Sequence, residues 1–543
     1  MKDAVMKYKN PVIPGFYPDP SVCRVGEDYY LATSSFEFFP GVPLFHSKDL
    51  LNWEQIGHVL TRKSQVLMDG ATASGGIYAP TLRYHNGRFY MITTNVNELA
   101  GTGQYPMLNF VVHTDDIYGE WSEPAPIDHV GIDPSLFWDD DGKCYYIGTH
   151  FLSDGRQCIG QFEIDPDTGE RLSEKQCLWM GDGGKYPEGP HMYKKDGRYY
   201  LMAAEGGTEW GHMETIARSD SVWGPFESCP HNPIVTNRDF QPSVLETMKP
   251  GYQAIGCVGH ADLVDDVNGN WWALMLGVRP SQFQLHHLGR ETMLAPVQWV
   301  DGWPVVNGGK PIRTEMEGPE TPFVRLDTSG FAVQNTHSFR ENFTEESGLT
   351  LKWTQLRSVM AENYRLENGL VLTAEQDDLS SLGNPSFAGV RQQAFDAVAE
   401  TELVFEPGDE KAEAGITVYH TNEHHYDLLV TKRNGRRVAI LYRRVADIET
   451  LSTPVELPKN GAVALKIVAD RLHYEFFANH VKVGRAAHSF SLPRRCLCPS
   501  PAAFSGCSAR AWQGKRRALR AFRLTIDYND IHGASEFLMP REQ

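Results

Sequence analysis

Three carboxylates stand out because each sits in the same kind of frame: Asp19 in Asp19-Pro20-Ser21, Asp133 in Asp133-Pro134-Ser135 and Glu188 in Glu188-Gly189-Pro190. Together they could hydrolyse a glycoside. One carboxyl protonates the leaving oxygen, another activates water or attacks the anomeric carbon, and a third tunes them. Carboxyls that crowd one site raise one another's pKa, so at least one stays protonated near neutral pH. Taken singly, Asp-Pro and Glu-Gly are ordinary turn pairs. Their register in the chain is what lifts them above that reading.

Two further frames, Ala79-Pro80-Thr81 and His260-Ala261-Asp262, complete a series of five with spacings of 60, 54, 55 and 72 residues. Each frame precedes a turn followed by aromatic residues: Gly26-Glu27-Asp28-Tyr29-Tyr30, Asn86-Gly87-Arg88-Phe89-Tyr90, Asp141-Gly142-Lys143-Cys144-Tyr145, Asp196-Gly197-Arg198-Tyr199-Tyr200 and Asn268-Gly269-Asn270-Trp271-Trp272. Asn-Gly and Asp-Gly suit two-residue hairpin turns, and the aromatics begin the return strand. The turn glycines are 61, 55, 55 and 72 residues apart, so two separate features share one irregular period. A period of that size with about four short strands predicts a propeller blade. Residues 1–310 are therefore expected to form a five-bladed β-propeller with each frame at an innermost strand. All five frames would then meet at one mouth of the central channel. The Glu188 frame is shifted by one residue, its proline being Pro190.

The remaining composition narrows the partners. With 51 Lys and Arg against 69 Asp and Glu the net charge is −18, which argues against nucleic acid or an anionic membrane and suits a neutral sugar. No run approaches the roughly 18 apolar residues of a membrane span. The opening Met1-Lys2-Asp3-Ala4-Val5 lacks a secretory pattern, and the nine cysteines are scattered without a CxxC pair. These features predict a cytoplasmic location. Homo-oligomerisation is left open.

Residues 311–335 read as a linker, rich in Pro, Gly and Glu and without periodicity. Beyond it, alternating runs such as Gly415–His420, Tyr426–Thr431 and Val463–Val468 predict antiparallel strands, so residues 336–543 are expected to form a β-sandwich. The fold class expected is all-β. Arg494–Arg523, with seven Arg and three Cys, shows little strand alternation before Leu524. It reads equally as a divergent basic loop or a local frameshift.

Gly15-Phe16-Tyr17-Pro18-Asp19-Pro20-Ser21, Gly131-Ile132-Asp133-Pro134-Ser135-Leu136-Phe137 and Tyr186-Pro187-Glu188-Gly189-Pro190-His191 resemble the three motifs of glycoside hydrolase family 43, in its β-xylosidase/α-L-arabinofuranosidase branch. The resemblance runs from about Asn10 to Asn307 and continues more loosely to the C-terminus. It implies an inverting, exo-acting enzyme that releases a terminal pentose from a small oligosaccharide. In that scheme Asp19 is the general base, Glu188 the general acid, and Asp133 orients Glu188 and raises its pKa. Inversion implies carboxyls roughly 6.5–9.5 Å apart. The resemblance also implies that Arg290 holds sugar hydroxyls, that Phe36 and Tyr78 wall the pocket, and that Phe504, on a loop of the sandwich, closes its rim. No cofactor is required, although His260 matches an axial histidine that in some members holds water or calcium. Read without the resemblance, Arg290 serves equally as a blade salt bridge, Phe36 as core, and His260 as a buried, hydrogen-bonded histidine. Tyr78 and Phe38 stand where many relatives carry Trp, which leaves xylose and arabinose both open.

Three other functions compete. A non-catalytic sugar-binding propeller needs no convergent carboxylates. A retaining fructosidase would carry different middle and acid motifs, and an endo-arabinanase usually lacks the closing sandwich.

Overall fold

The computed structural model describes residues 5–66, 68–97, 106–240, 254–281, 285–335, 338–343, 349–358, 364–487, 504–510 and 518–528. Among them the regular structure is antiparallel strand, with 3-10 turns only at Arg238–Phe240 and Asn307–Gly309.

The first half forms five antiparallel sheets in chain order. The strands that lead into the five turns, here called first strands, are Ser21–Val25, Thr81–His85, Ser135–Trp138, Glu188–Lys195 and Gly256–Asp265, with the two-residue strand Gly76–Ile77 added ahead of the second. Each predicted frame lies at or just before one of them. Three of the five turns are two-residue loops, closed by the pairs Val25–Asp28, His85–Arg88 and Lys195–Arg198. Asn86, Gly87, Asp196 and Gly197 all take the positive φ that such turns require. The third and fifth turns are longer than expected, spanning from Trp138 to Cys144 and from Asp265 to Trp271. In the fifth, Asp266 accepts the backbone N–H groups of Asn268 and Asn270, so the side chain builds the loop.

The first strands are tied to one another in a closed sequence of hydrogen bonds. Leu82 N–H donates to Ser21 Oγ, Thr81 Oγ1 to the Pro134 carbonyl, and Ser135 Oγ pairs with His191 Nδ1 at 3.1 Å. Tyr193 donates to Asp262 at 2.6 Å, and Ser21 closes the circuit by donating to Asp262 at 2.9 Å. Asp262, fully buried, also accepts Val22 N–H and two bonds from Arg83. Burial opposes its ionisation, but Arg83 and the other donors outweigh this and hold its carboxyl well below the usual range.

The stretch expected to be a plain linker contains a strand, Glu315–Pro319, paired with Val5–Lys9. Its glycine and proline hide the pattern because only Met316 and Gly318 face inward. The second half folds into two antiparallel sheets of eight and seven strands around one apolar core that includes Leu372, Ile416, Leu428, Leu465 and Phe476. The predicted runs fall inside Glu413–Thr421, His424–Arg433 and Val463–Ala469. The basic stretch that shows little alternation in sequence contributes two strands, Phe504–Arg510 and Ala518–Tyr528. Each lies between two other strands, so the sheet imposes a conformation that local sequence does not announce.

Asp262→Ala strips Arg83 of its counter-charge in a buried setting and should cost roughly 3–5 kcal/mol. A thermal melt should show the first half unfolding about 10 °C earlier; a Tm within 2 °C of the parent, as an order-of-magnitude bound, would contradict this role.

Candidate active site

Asp19 and Asp133 each stand immediately before a first strand with left-handed backbone, φ 55° and 54°, and His260 shares it at 52° within the first strand of the fifth sheet. Asp and His tolerate this conformation better than most residues, and its repetition at equivalent frames marks a built feature. Glu188 begins the fourth sheet's first strand, and its one-residue offset is taken up by a bulge between Glu188 and His191. Gly189 in that bulge has φ 56°, and a Cβ there would come within 2.6 Å of His260 Nε2. The glycine therefore lets the imidazole lie against the backbone beside Glu188.

The side chains converge. Arg290 Nη1 donates to Asp19 Oδ1 at 2.7 Å, and Ser34 Oγ donates to Asp19 Oδ2. His260 Nε2 lies 3.4 Å from Asp133 Oδ2. Phe36 places its ring 5.1 Å beneath the Arg290 guanidinium and 5.3 Å from the half-buried Tyr78. A bridge between Phe36 and Ile77 fixes that pair, made possible because Gly76, at φ 94°, lets the backbone pass where a Cβ would meet Phe36 O at 2.3 Å. Arg290 Nε has no acceptor among the described residues, although it is buried.

The electrostatics separate the groups. Burial first, then the negative charges of Asp133 and Asp19, push Glu188 up to about 8, against the opposing fields of His260 and Arg290. Burial alone would lower His260, but the bond to Asp133 and the fields of Asp19, Asp133 and Glu188 raise it to about 10. His260 is thus an imidazolium near neutral pH, donating to Asp133. Among the described residues no three His, Cys, Asp or Glu side chains are grouped to hold a metal. Calcium takes oxygen ligands, so the imidazole nitrogen of His260 fits a hydrogen bond, to Asp133 or to water, better than direct calcium ligation.

The model for glycosyl hydrolases family 43 matches residues 8–304, and that for the beta xylosidase C-terminal concanavalin A-like domain matches residues 340–516. The chain belongs to glycoside hydrolase family 43. It is a glycosidase whose second half is a concanavalin-like sandwich. It is 40% identical to a non-reducing end alpha-L-arabinofuranosidase of Bacteroides ovatus, over 86% of this chain and 84% of the relative. It is 42% identical to a xylosidase/arabinosidase of Butyrivibrio fibrisolvens, over 79% and 80% of the two chains. Among solved structures, a xylan beta-1,4-xylosidase from Bacillus halodurans superposes with a TM-score of 0.86 at 32% identity, covering 96% of this chain and all of that one.

Within this family 43 chain, the side chains of Asp19, Asp133, Glu188, His260, Arg290, Phe36 and Tyr78 lie close to one another. Phe504 does not fall on a loop: its backbone opens a strand paired to Arg391 and Tyr419, and its side chain lies outside the described residues. Ser34 escaped the sequence reading because serine carries no motif there. Glu214 also escaped it; this buried carboxyl, raised to about 8 chiefly by burial, accepts Ala261 N–H at 2.9 Å behind His260.

Glu188 binds its proton more tightly when folded than when unfolded, so its contribution to stability falls as pH rises from about 4.5 to about 8. Glu188→Gln removes that loss. Its melting temperature should match the parent at pH 4 and exceed it by a few degrees at pH 8; a difference independent of pH would refute the raised pKa.

Proposed function

We propose that the chain is an inverting, exo-acting glycosidase that releases a terminal pentose, acting on β-1,4-linked xylo-oligosaccharides with α-L-arabinofuranosides as the second substrate class. We further propose that its five sheets are the blades of a propeller. The circuit of bonds from Ser21 through Thr81, Ser135 and Tyr193 to Asp262 supports that arrangement, because it joins the fifth sheet back to the first.

The observation that carries the catalytic reading is the contrast between two carboxyls of one site. Asp19 is bonded to a guanidinium and a hydroxyl, while Glu188 is pushed up to about 8. A pair whose environments differ in this way can act as base and acid. In the proposed reaction Asp19 accepts a proton from water as that water attacks the anomeric carbon. Glu188 delivers its proton to the leaving oxygen, and the configuration inverts in one displacement. Asp133, with His260 behind it, adds negative field at Glu188 and keeps the acid protonated. The buried Arg290 Nε–H suits a sugar hydroxyl, and Phe36 with Tyr78 offers the apolar wall. Hydrolysis of this kind asks for no cofactor.

The arabinofuranosidase reading rests on the Bacteroides relative and on Tyr78, which is smaller than a Trp wall. Parallel turnover of aryl β-xyloside and aryl α-arabinofuranoside, with the product anomer read by proton NMR, tests both. An inverted anomer is expected, and a retained one overturns Asp19 as base.

Asp19→Asn should lose on the order of 10²–10⁴ in kcat on every substrate. Glu188→Gln should lose a similar factor on xylobiose but far less on a dinitrophenyl xyloside, whose leaving group needs little protonation. Equal losses on both leaving groups would remove Glu188 from the acid role.

A further inference from the structure

The pocket wall is held from behind by the second domain, and one buried arginine, Arg357, takes part in the attachment through both its backbone and its side chain. The segment Phe36–Phe39 has two faces. Phe36 lies under Arg290 in the site, whereas Glu37 points away from it into the domain boundary, where it is fully buried. There it meets Arg357, whose positive field opposes the burial that raises the Glu37 carboxyl to about 7.

Arg357 binds several backbone segments at once. Its own N–H donates to the Glu37 carbonyl at 2.8 Å, its Nε to the Ala71 carbonyl at 2.6 Å and its Nη1 to the Gly383 carbonyl at 3.2 Å. The Ala71 contact reaches the loop in which Ser74 N–H donates to Glu37 Oε2. That loop leads directly to Gly76, Ile77 and Tyr78. The residues before Arg357 extend the attachment: Leu356 and Gln355 pair as a short strand with Phe38 and Phe39, and Thr354 Oγ1 donates to the Phe39 carbonyl at 3.0 Å. Phe36, Phe38, Leu356 and Tyr419 share one apolar cluster, with the Tyr419 hydroxyl beside the Arg357 guanidinium. Arg357 is buried with φ 64°, a conformation that an arginine adopts only when its surroundings enforce it.

We infer that Arg357 is a positioning residue for the sugar-binding pocket: from the second domain it clamps the Phe36–Phe39 segment and the loop before Tyr78, so that Phe36 stays under Arg290 with Tyr78 against it. The inference rests on the proposed role of Phe36 and Tyr78 as the pocket wall. A clamp on the wall acts on how the terminal sugar is held, not on the proton transfers of Asp19 and Glu188. Its loss should therefore weaken ground state and transition state alike and raise KM more than it lowers kcat.

The test uses the full chain and an aryl xyloside. Arg357→Met, which keeps the length and apolar stem but loses every side-chain bond, should raise KM on the order of tenfold with kcat within about threefold of the parent. Arg357→Lys, able to reach one carbonyl, should fall between the two. Folding is checked by thermal melt and near-ultraviolet circular dichroism. If the Met variant does not fold, the Lys variant is read instead, and an unchanged KM there overturns the clamp. A KM rise under about threefold in a folded Met variant, or a fall in kcat larger than the rise in KM in either variant, also overturns it. A parent protein that turns over neither the xyloside nor the arabinofuranoside would instead sink the proposed function, so the two failures are distinct.

Discussion

The frames of the candidate site share one fully buried charge. Asp262 carries its negative charge out of contact with water, and Arg83, Tyr193, Ser21 and Val22 N–H supply what the solvent would have. Breaking such a set leaves an uncompensated charge in a low-dielectric interior, which is why its members act together. Strands from the first, second, fourth and fifth sheets all contribute to it. The frames that carry Asp19, Glu188 and His260 are covalently continuous with those strands, so the positions of these three groups are inherited from this one junction.

Above the junction the charges alternate in partnership. Asp19 has Arg290 and Asp133 has His260, each within direct reach. Glu188 feels both cations only through space, together with the two carboxylates, and burial decides the balance. That arrangement differentiates chemically similar groups. The aromatic wall adds a second division of labour. Phe36 faces the site, while its neighbour Glu37 is committed to the domain boundary, so adjacent residues join the pocket to the sandwich.

The frames were legible in the sequence because the five sheets repeat one design, and a shared irregular period exposes positions that composition cannot. Asp19, Asp133 and Glu188 emerged from that register, and the strands of the second half from plain alternation. Ser34, Arg83 and Glu214 did not, since their roles depend on partners brought close only by folding; the Arg290–Asp19 bond spans 271 residues. Turn length misled at the third and fifth hairpins, where a local side chain, Asp266 in the fifth, reshapes a loop that Asp-Gly or Asn-Gly alone would have kept short. Strand propensity misled in Phe504–Arg510, where neighbouring strands on both sides impose an extended backbone on small and basic residues.

The left-handed backbone at Asp19, Asp133 and His260 also limits how this enzyme can be silenced for structural work. Alanine at any of the three would trade a tolerated conformation for a disfavoured one, so the strand entry would relax and the empty position would no longer report where the carboxylate had been. Asparagine keeps the conformation and the outline of aspartate while giving up its basicity. For the proposed reaction, a catalytically quiet protein intended to trap an intact oligosaccharide is therefore best made by exchanging acid for amide at Asp19 or Asp133, where the scaffold itself selects the replacement.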